Sequence, residues 1–319
     1  MVRASLEQKS YQHALDFLIE NEPERRFDTR LTYESFLALQ GQARTRYGDE
    51  CSFPRVEYSS RGSTVTIHTV HSALHAKAAE VVQQWLDEAL RAELVSHDMR
   101  EVGDRFSTAR GRTMTTGNDL KVSVKNPDGG LVYHKSGQET MTVAIVVGVS
   151  QAYQPLKDDI MTWLHEFHCR TGVLFSLKEK PGFKYPMNEY SAADIGPFQN
   201  AISRARLDQP FGPYVYNQHQ WFGSLDHAFV EIYRRDTNGG LKSRQRFNVI
   251  KDGKLVLPGD SVNLTLTVKD MFPYDEEDID VIQLLPMFFR NNFLQEFLED
   301  GVAGAARWRF NDAIGNRRN

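Results

Sequence analysis

The sequence predicts an α/β protein built on a mixed central sheet, and three observations point there. Residues 142–149 form a β-branched run that is apolar on both faces, the pattern of a strand buried between two layers. A helical pattern at 153–168 and a second apolar strand at 172–177 follow directly, in the order of a right-handed parallel crossover. Further on, 214–221, 228–235, 246–250 and 262–268 read as strands. They predict a β-rich extension that continues the sheet or packs on it.

The remaining elements follow in chain order. Leu6, Ala14, Leu15, Phe17 and Leu18 predict a helix over 5–20, and Thr32 caps a second one over 32–44 with Phe36, Leu37 and Leu39 on its apolar side. Residues 54–58 and 64–69 read as a hairpin around Ser60-Arg-Gly-Ser63. Ser72 then caps a long helix to about residue 94, in which Leu74, Ala78, Val81, Val82, Trp85, Leu86 and Leu90 recur at helical spacing. A strand at 120–124 ends at Asn126-Pro-Asp-Gly-Gly130, so Asp128 falls where a strand gives way to a turn. Residues 131–133 begin another strand, and Asn238-Gly-Gly240 supplies a hairpin turn. The acids of 275–280 precede a last helix near 279–299, where they suit the helix macrodipole. Residues 301–319, rich in Gly, Asn and Arg, read as a partly loose tail. The domain reading is a helical arm at 1–50, a core at 54–190, a β-rich extension at 191–274, and a terminal helix and tail at 275–319.

Composition narrows the classes. The 319 residues are 40% hydrophobic and 25% charged, enough apolar content to order a core. Lys and Arg number 38 against 42 Asp and Glu, a net charge of -4, so any nucleic-acid contact must use a local patch. The two cysteines, Cys51 and Cys169, form no CxxC or zinc spacing. The first residues lack an apolar signal core, and no apolar run approaches membrane-spanning length, so the expectation is an intracellular protein, cytoplasmic or nuclear, with no membrane partner. No GxGxxG or Walker sequence occurs, so no nucleotide cofactor is expected, and Ser150 lacks the Gly-x-Ser-x-Gly setting of a nucleophile. His71 and His75, spaced i and i+4, have metal-binding spacing without an evident third ligand.

Helix, strand, Pro-Asp turn, central strand, helix and strand make a sequence that resembles the PD-(D/E)XK, or restriction-endonuclease-like, core. Four pieces carry a narrower likeness to its Uma2-like branch and to uncharacterised fungal proteins, over about residues 54–270. They are Pro54-Arg-Val-Glu-Tyr58 leading to His71-Ser-Ala-Leu-His75; Lys125-Asn-Pro-Asp128; Val147-Gly-Val-Ser-Gln-Ala-Tyr153 with Leu156, Lys157, Asp158 and Trp163-Leu164; and Gly212-Pro-Tyr214 with Trp221 and Phe229-Val-Glu-Ile-Tyr-Arg-Arg235. The resemblance implies metal-assisted phosphodiester hydrolysis, with acids holding Mg²⁺ or Mn²⁺ and a lysine beside them.

It also exposes departures. Asp128 matches the Pro-Asp acid, but Ala76 stands where the helix acid is expected, Val146 where the strand acid is expected, and Gly148 at the lysine position. Valine cannot ligate a metal, and a lone Asp128 is a weak metal ligand, so the hydrolytic centre reads as dismantled and no cofactor is expected. If the residues have moved instead, Glu80, one turn beyond Ala76, and Lys157, one turn into the next helix, are the substitutes that would join Asp128. As alternatives, Glu80 and Lys157 are solvated helix residues and Asp128 is a turn former.

Basic charge concentrates between 234 and 254, where Arg234, Arg235, Lys242, Arg244, Arg246, Lys251 and Lys254 face only two acids. Lys121 and Lys125 belong to a milder group. Such a surface can track phosphates, and Arg307-Trp-Arg-Phe310 pairs basic with aromatic side chains as single-strand binders do; the alternative is a solvated face. Three readings result. The favoured one is a catalytically impaired nuclease-like protein, a pseudo-nuclease that binds nucleic acid or a protein. The others are an active Mg²⁺-dependent nuclease using Asp128, Glu80 and Lys157, and a self-associating scaffold acting through its terminal helices.

Overall fold

A computed structural model describes residues 2–20, 26–48, 54–69, 72–117, 122–186, 190–236, 238, 240–256, 266–276 and 293–315. The chain opens with α1 (Val2–Glu20), β1 (Arg26–Arg30) and α2 (Tyr33–Tyr47). The Thr32 hydroxyl accepts the Ser35 N–H at the start of α2, and Phe36, Leu39 and Ala43 turn inward. The predicted hairpin follows as β2 (Arg55–Ser59) and β3 (Thr64–His68). Residues 1–50 are more than a helical arm, because β1 pairs antiparallel with β3. Ser72 caps α3 (Ala73–Ser96), accepting the His75 N–H, and the predicted apolar stripe is its buried face.

After the single turn α4 (Arg100–Gly103) come the short strands β4 (Phe106–Thr108), β5 (Met114–Thr116) and β6 (Ser123–Lys125). Then β7 (Gly129–Lys135), β8 (Gln138–Val149), α5 (Tyr153–His165) and β9 (Thr171–Lys180) build the centre. β8 and β9 pair in parallel with α5 as their crossover, as the periodicity predicts. The strand before the Pro-Asp turn, β6, belongs to a different sheet from β7, so Asp128 sits where the chain passes from one sheet to the other.

Beyond β9 lies α6 (Ile195–Asp208), which the strand-like reading of this region did not predict. The hairpin β10 (Tyr214–Tyr216) and β11 (His219–Phe222) leads to β12 (Ser224–Arg235), β13 (Leu241–Lys251) and β14 (Lys254–Leu255). The predicted strand at 262–268 is not a strand where it is described: Thr267 caps a 3₁₀ turn at Val268–Met271. Residues 257–265 and the predicted helix portion 279–292 lie outside the described residues. The tail reading is corrected by α7 (Phe293–Gly315), a helix packed on α3. Its glycines made it look loose, yet a Cβ on Gly301 would stand 3.1 Å from Leu74 Cα and one on Gly304 2.8 Å from Ala73 Cβ. They permit a close helix crossing.

The fold is thus mixed α/β, with two large sheets and the separate two-stranded β10–β11 hairpin among the described residues. One has seven strands, ordered β14-β13-β12-β9-β8-β7-β4, and the β-rich extension continues it through the antiparallel β9–β12 pair. Its main core lies toward α3, α6 and α7, and a second core lies under α5. The other sheet, ordered β1-β3-β2-β6-β5, packs an apolar face of Val56, Tyr58, Val65 and Ile67 against α1 and α2. Its alternate residues are polar and turn toward α5.

Candidate functional site

Strand alternation places Arg55 and Glu57 opposite Val56 and Tyr58, so burying the apolar face of β2 directs a cation and an acid toward the second layer. β3 adds His68, β6 adds Lys125, β1 adds Arg26 and α5 adds Asp159. Asp128 enters from the turn and His75 from the first turn of α3. These groups meet in one buried ionic cluster.

Lys125 Nζ lies 3.2 Å from Glu57 Oε2 and 2.8 Å from Asp159 Oδ1. Arg26 takes the second oxygen of Asp159 at 2.5 Å. Glu57 also accepts the Asn126 N–H at 3.0 Å and has His68 Nε2 at 3.6 Å. Asp128 is held by Arg55 Nη1 at 3.2 Å and by the Val147 N–H donated at 2.8 Å, and His75 Nε2 stands 3.0 Å from it.

Burial opposes charge throughout this cluster, and pairing overcomes it. For Glu57, burial pushes the carboxyl up, but Lys125, His68 and the Asn126 amide hold it well below the usual range. Asp159 behaves alike, with Lys125 and then Arg26 outweighing burial. Burial pulls the Lys125 ammonium down, yet Asp159 and Glu57 hold it above an ordinary lysine. All three are therefore charged at neutral pH.

Beside the cluster is a cavity of about 20 Å³, walled by Arg55, Glu57, Lys125 and Asp128 on the polar side and by Val146, Leu156 and Trp163 on the apolar side. That is room for about one water molecule. Gly148, at the position where a lysine is expected, is closed off: a Cβ there would meet Leu156 Cδ1 at 2.3 Å.

The structure thus brings Asp128 and Lys125 to one cavity and leaves Glu80 and Lys157 out of its wall. Glu80 pairs with Lys77 at 3.0 Å on the half-exposed side of α3. Lys125, read as a phosphate contact, is instead a buried ion-pair partner. His71 and Lys121 lie outside the described residues. On the basic hairpin, Arg234 is buried against Asp270 at 3.0 Å and is unavailable to a ligand. Arg235 is half-buried, while Lys242, Arg244 and Arg246 stand at the surface. In Arg307-Trp-Arg-Phe310 only the first pair is accessible: Arg307 is exposed and Trp308 half-buried, whereas Arg309 pairs with buried Glu179 at 2.8 Å and Phe310 is fully buried.

Glu57, Asp159 and Arg26 were missed. The available signal was Glu57, an acid inside an otherwise strand-like stretch; Asp159 and Arg26 carried none, because only the fold brings them within reach of Lys125.

Fold and site together define an α/β protein whose two large sheets are joined across a buried cluster of carboxylates and cations. No family model, curated protein or solved structure matches the chain. No helix among the described residues is long and apolar enough to cross a membrane.

Proposed function

We propose that the chain is a nuclease-like protein of the PD-(D/E)XK type whose hydrolytic centre has been replaced by internal ion pairs, and that it works by binding nucleic acid rather than by cutting it. The run of α3, β6, Pro-Asp turn, β7, β8, α5 and β9, with β8 and β9 parallel, supports the nuclease-like part.

One observation carries the loss of catalysis: each carboxylate at the cavity is already neutralised by a protein cation. Mg²⁺ needs hard oxygen ligands with free lone pairs and room for several waters. Asp128 has Arg55, Asp159 has Lys125 and Arg26, and Glu57 has Lys125. Displacing these cations would leave buried positive charge unpaired, at a cost of several kcal/mol. Val146 and the closed Gly148 position remove the second acid and the lysine that hydrolysis would use.

The test is a cleavage assay with labelled single- and double-stranded DNA and RNA in Mg²⁺ or Mn²⁺, beside EDTA and Asp128→Ala controls. No cleavage beyond that of Asp128→Ala is expected. Metal-dependent cleavage that disappears in Asp128→Ala would overturn the proposal.

A further inference from the structure

On the α5 side of the seven-stranded sheet, β12 carries Phe229, Glu231 and Tyr233 on one face. α5 covers β8 and β9 and reaches only the near side of β12, so β13 lies beyond its cover. Glu231 is fully buried there. A buried carboxylate is costly unless it is paired and hydrogen-bonded, and apolar residues would fill the place at no such cost.

Four side chains satisfy it. Tyr233 and Tyr153 donate their hydroxyls to Oε2 at 2.6 and 2.8 Å, while Arg246 Nε donates to Oε1 at 2.6 Å and Arg244 does so through Nε at 3.0 Å and through Nη2. The effort fixes two guanidinium groups at the surface. Arg246 Cζ lies 3.9 Å from the Phe229 ring centre, and Arg244 Cζ lies 5.6 Å from that of Tyr153. Both side chains stay 40% exposed. Arg244 Nη1 and both Nη atoms of Arg246 make no hydrogen bond among the described residues. Exposed Lys242 lies two positions before Arg244 on β13, at the bulge where the strand shifts register against β12.

We infer that Lys242, Arg244 and Arg246 form a phosphate-tracking site for single-stranded nucleic acid, with Glu231 as the positioning residue beneath it. The row is positive and extended, as a phosphate backbone requires. The fixed guanidinium planes offer flat surfaces on which unpaired bases stack, which a paired duplex cannot use. This rests on the reading that the protein acts by binding, and it names where and what it binds.

The experiment is fluorescence anisotropy with a labelled oligothymidine of about 16 nucleotides, titrated at several salt concentrations. A duplex of the same length and phosphatidylserine vesicles serve as competitors. Wild type is expected to bind with an affinity that falls with salt and to prefer the single strand. E231Q/R244Q/R246Q removes the cations together with the acid they neutralise. It is expected to reduce the slope of log K against log salt by about 1.4, and K242Q by about 0.7, at about 0.7 per phosphate contact. K242Q, on an exposed side chain, decides the matter if the triple variant does not fold. An unchanged slope in both variants, absence of binding at low salt, or preference for duplex or vesicles would overturn the site. Adding Mg²⁺ to the same mixtures separates the two proposals. Cleavage by wild type sinks the binding-only reading and leaves the site standing, whereas no cleavage with unchanged slopes does the reverse.

Discussion

At Lys125 the ammonium stands between Glu57 and Asp159 with almost no water around it. Its charge is stable only while both acids are present, and theirs only while it is. Removing one partner of such a set is far worse than removing all of it. Lys125→Met is therefore expected to cost roughly 3–5 kcal/mol in urea unfolding, while K125M/E57Q/D159N recovers a large part of that loss. A triple variant no better than the single would show that the cluster contributes by packing and not by charge. The same residues set the pH response. Glu57 and Asp159 titrate below their ordinary values of 4.5 and 3.8, so the unfolded chain binds protons more readily than the folded one as pH falls. Their contribution is fully present above about pH 4.5 and is lost as pH falls through the folded values. Lys125, held above its ordinary 10.5, keeps its contribution up to that pH and loses it only as pH rises through the higher folded value. Glu57→Gln should flatten the acid limb of the urea midpoint against pH; an unaltered limb would assign acid sensitivity elsewhere.

Elements show why some of this was legible beforehand. α3 and the β8–α5–β9 unit were readable because burial on one or both faces writes a period into the sequence. α6 was not: it buries only Phe198 and Ile202, too few positions to mark a helical stripe. α7 was misread because Gly301 and Gly304 look like helix breakers in one dimension and are contact points in three. Gly301→Ala should test this, since its new methyl would press on the Leu74 backbone; a loss of about 1–3 kcal/mol is expected from overpacking. No loss in thermal unfolding would mean the crossing is loose. The site divides the same way. Asp128 was visible from its turn, but Lys125 and Asp159 are 34 positions apart and share no local signal. Packing between β8 and α5 also predicts that V146E/G148K, which supplies the acid and the lysine that the proposed nuclease-like reading expects, will not confer cleavage. Leu156 occupies the space at Gly148, and the variant is expected to unfold at lower urea than wild type. Metal-dependent cleavage by that variant would mean the centre needs only its missing side chains.

Across the whole molecule, the two sheets keep separate apolar cores and meet mainly through polar groups. The five-stranded sheet buries its apolar face against α1 and α2, and the facing core lies under α5. Between them run the Lys125–Asp159 and Arg26–Asp159 pairs, the hydrogen bonds of Ser59 and Ser123 to the Glu166 carboxylate, and that of Thr116 to the Glu166 carbonyl. Layers with their own cores and a polar seam are candidates for separate cooperative units, because opening the seam exposes little apolar surface. Asp159 is the residue on which this hinges, since it receives two cations from the other layer. Asp159→Asn keeps the side-chain shape and removes the charge, leaving Lys125 with Glu57 and Arg26 with exposed Asp28. Native-state hydrogen exchange of this variant should show amides of β2 and β3 losing protection while those of β8, β9 and β12 keep theirs. Protection lost equally in both sheets would mean that they unfold as one body and that the seam, for all its polarity, holds as firmly as the cores.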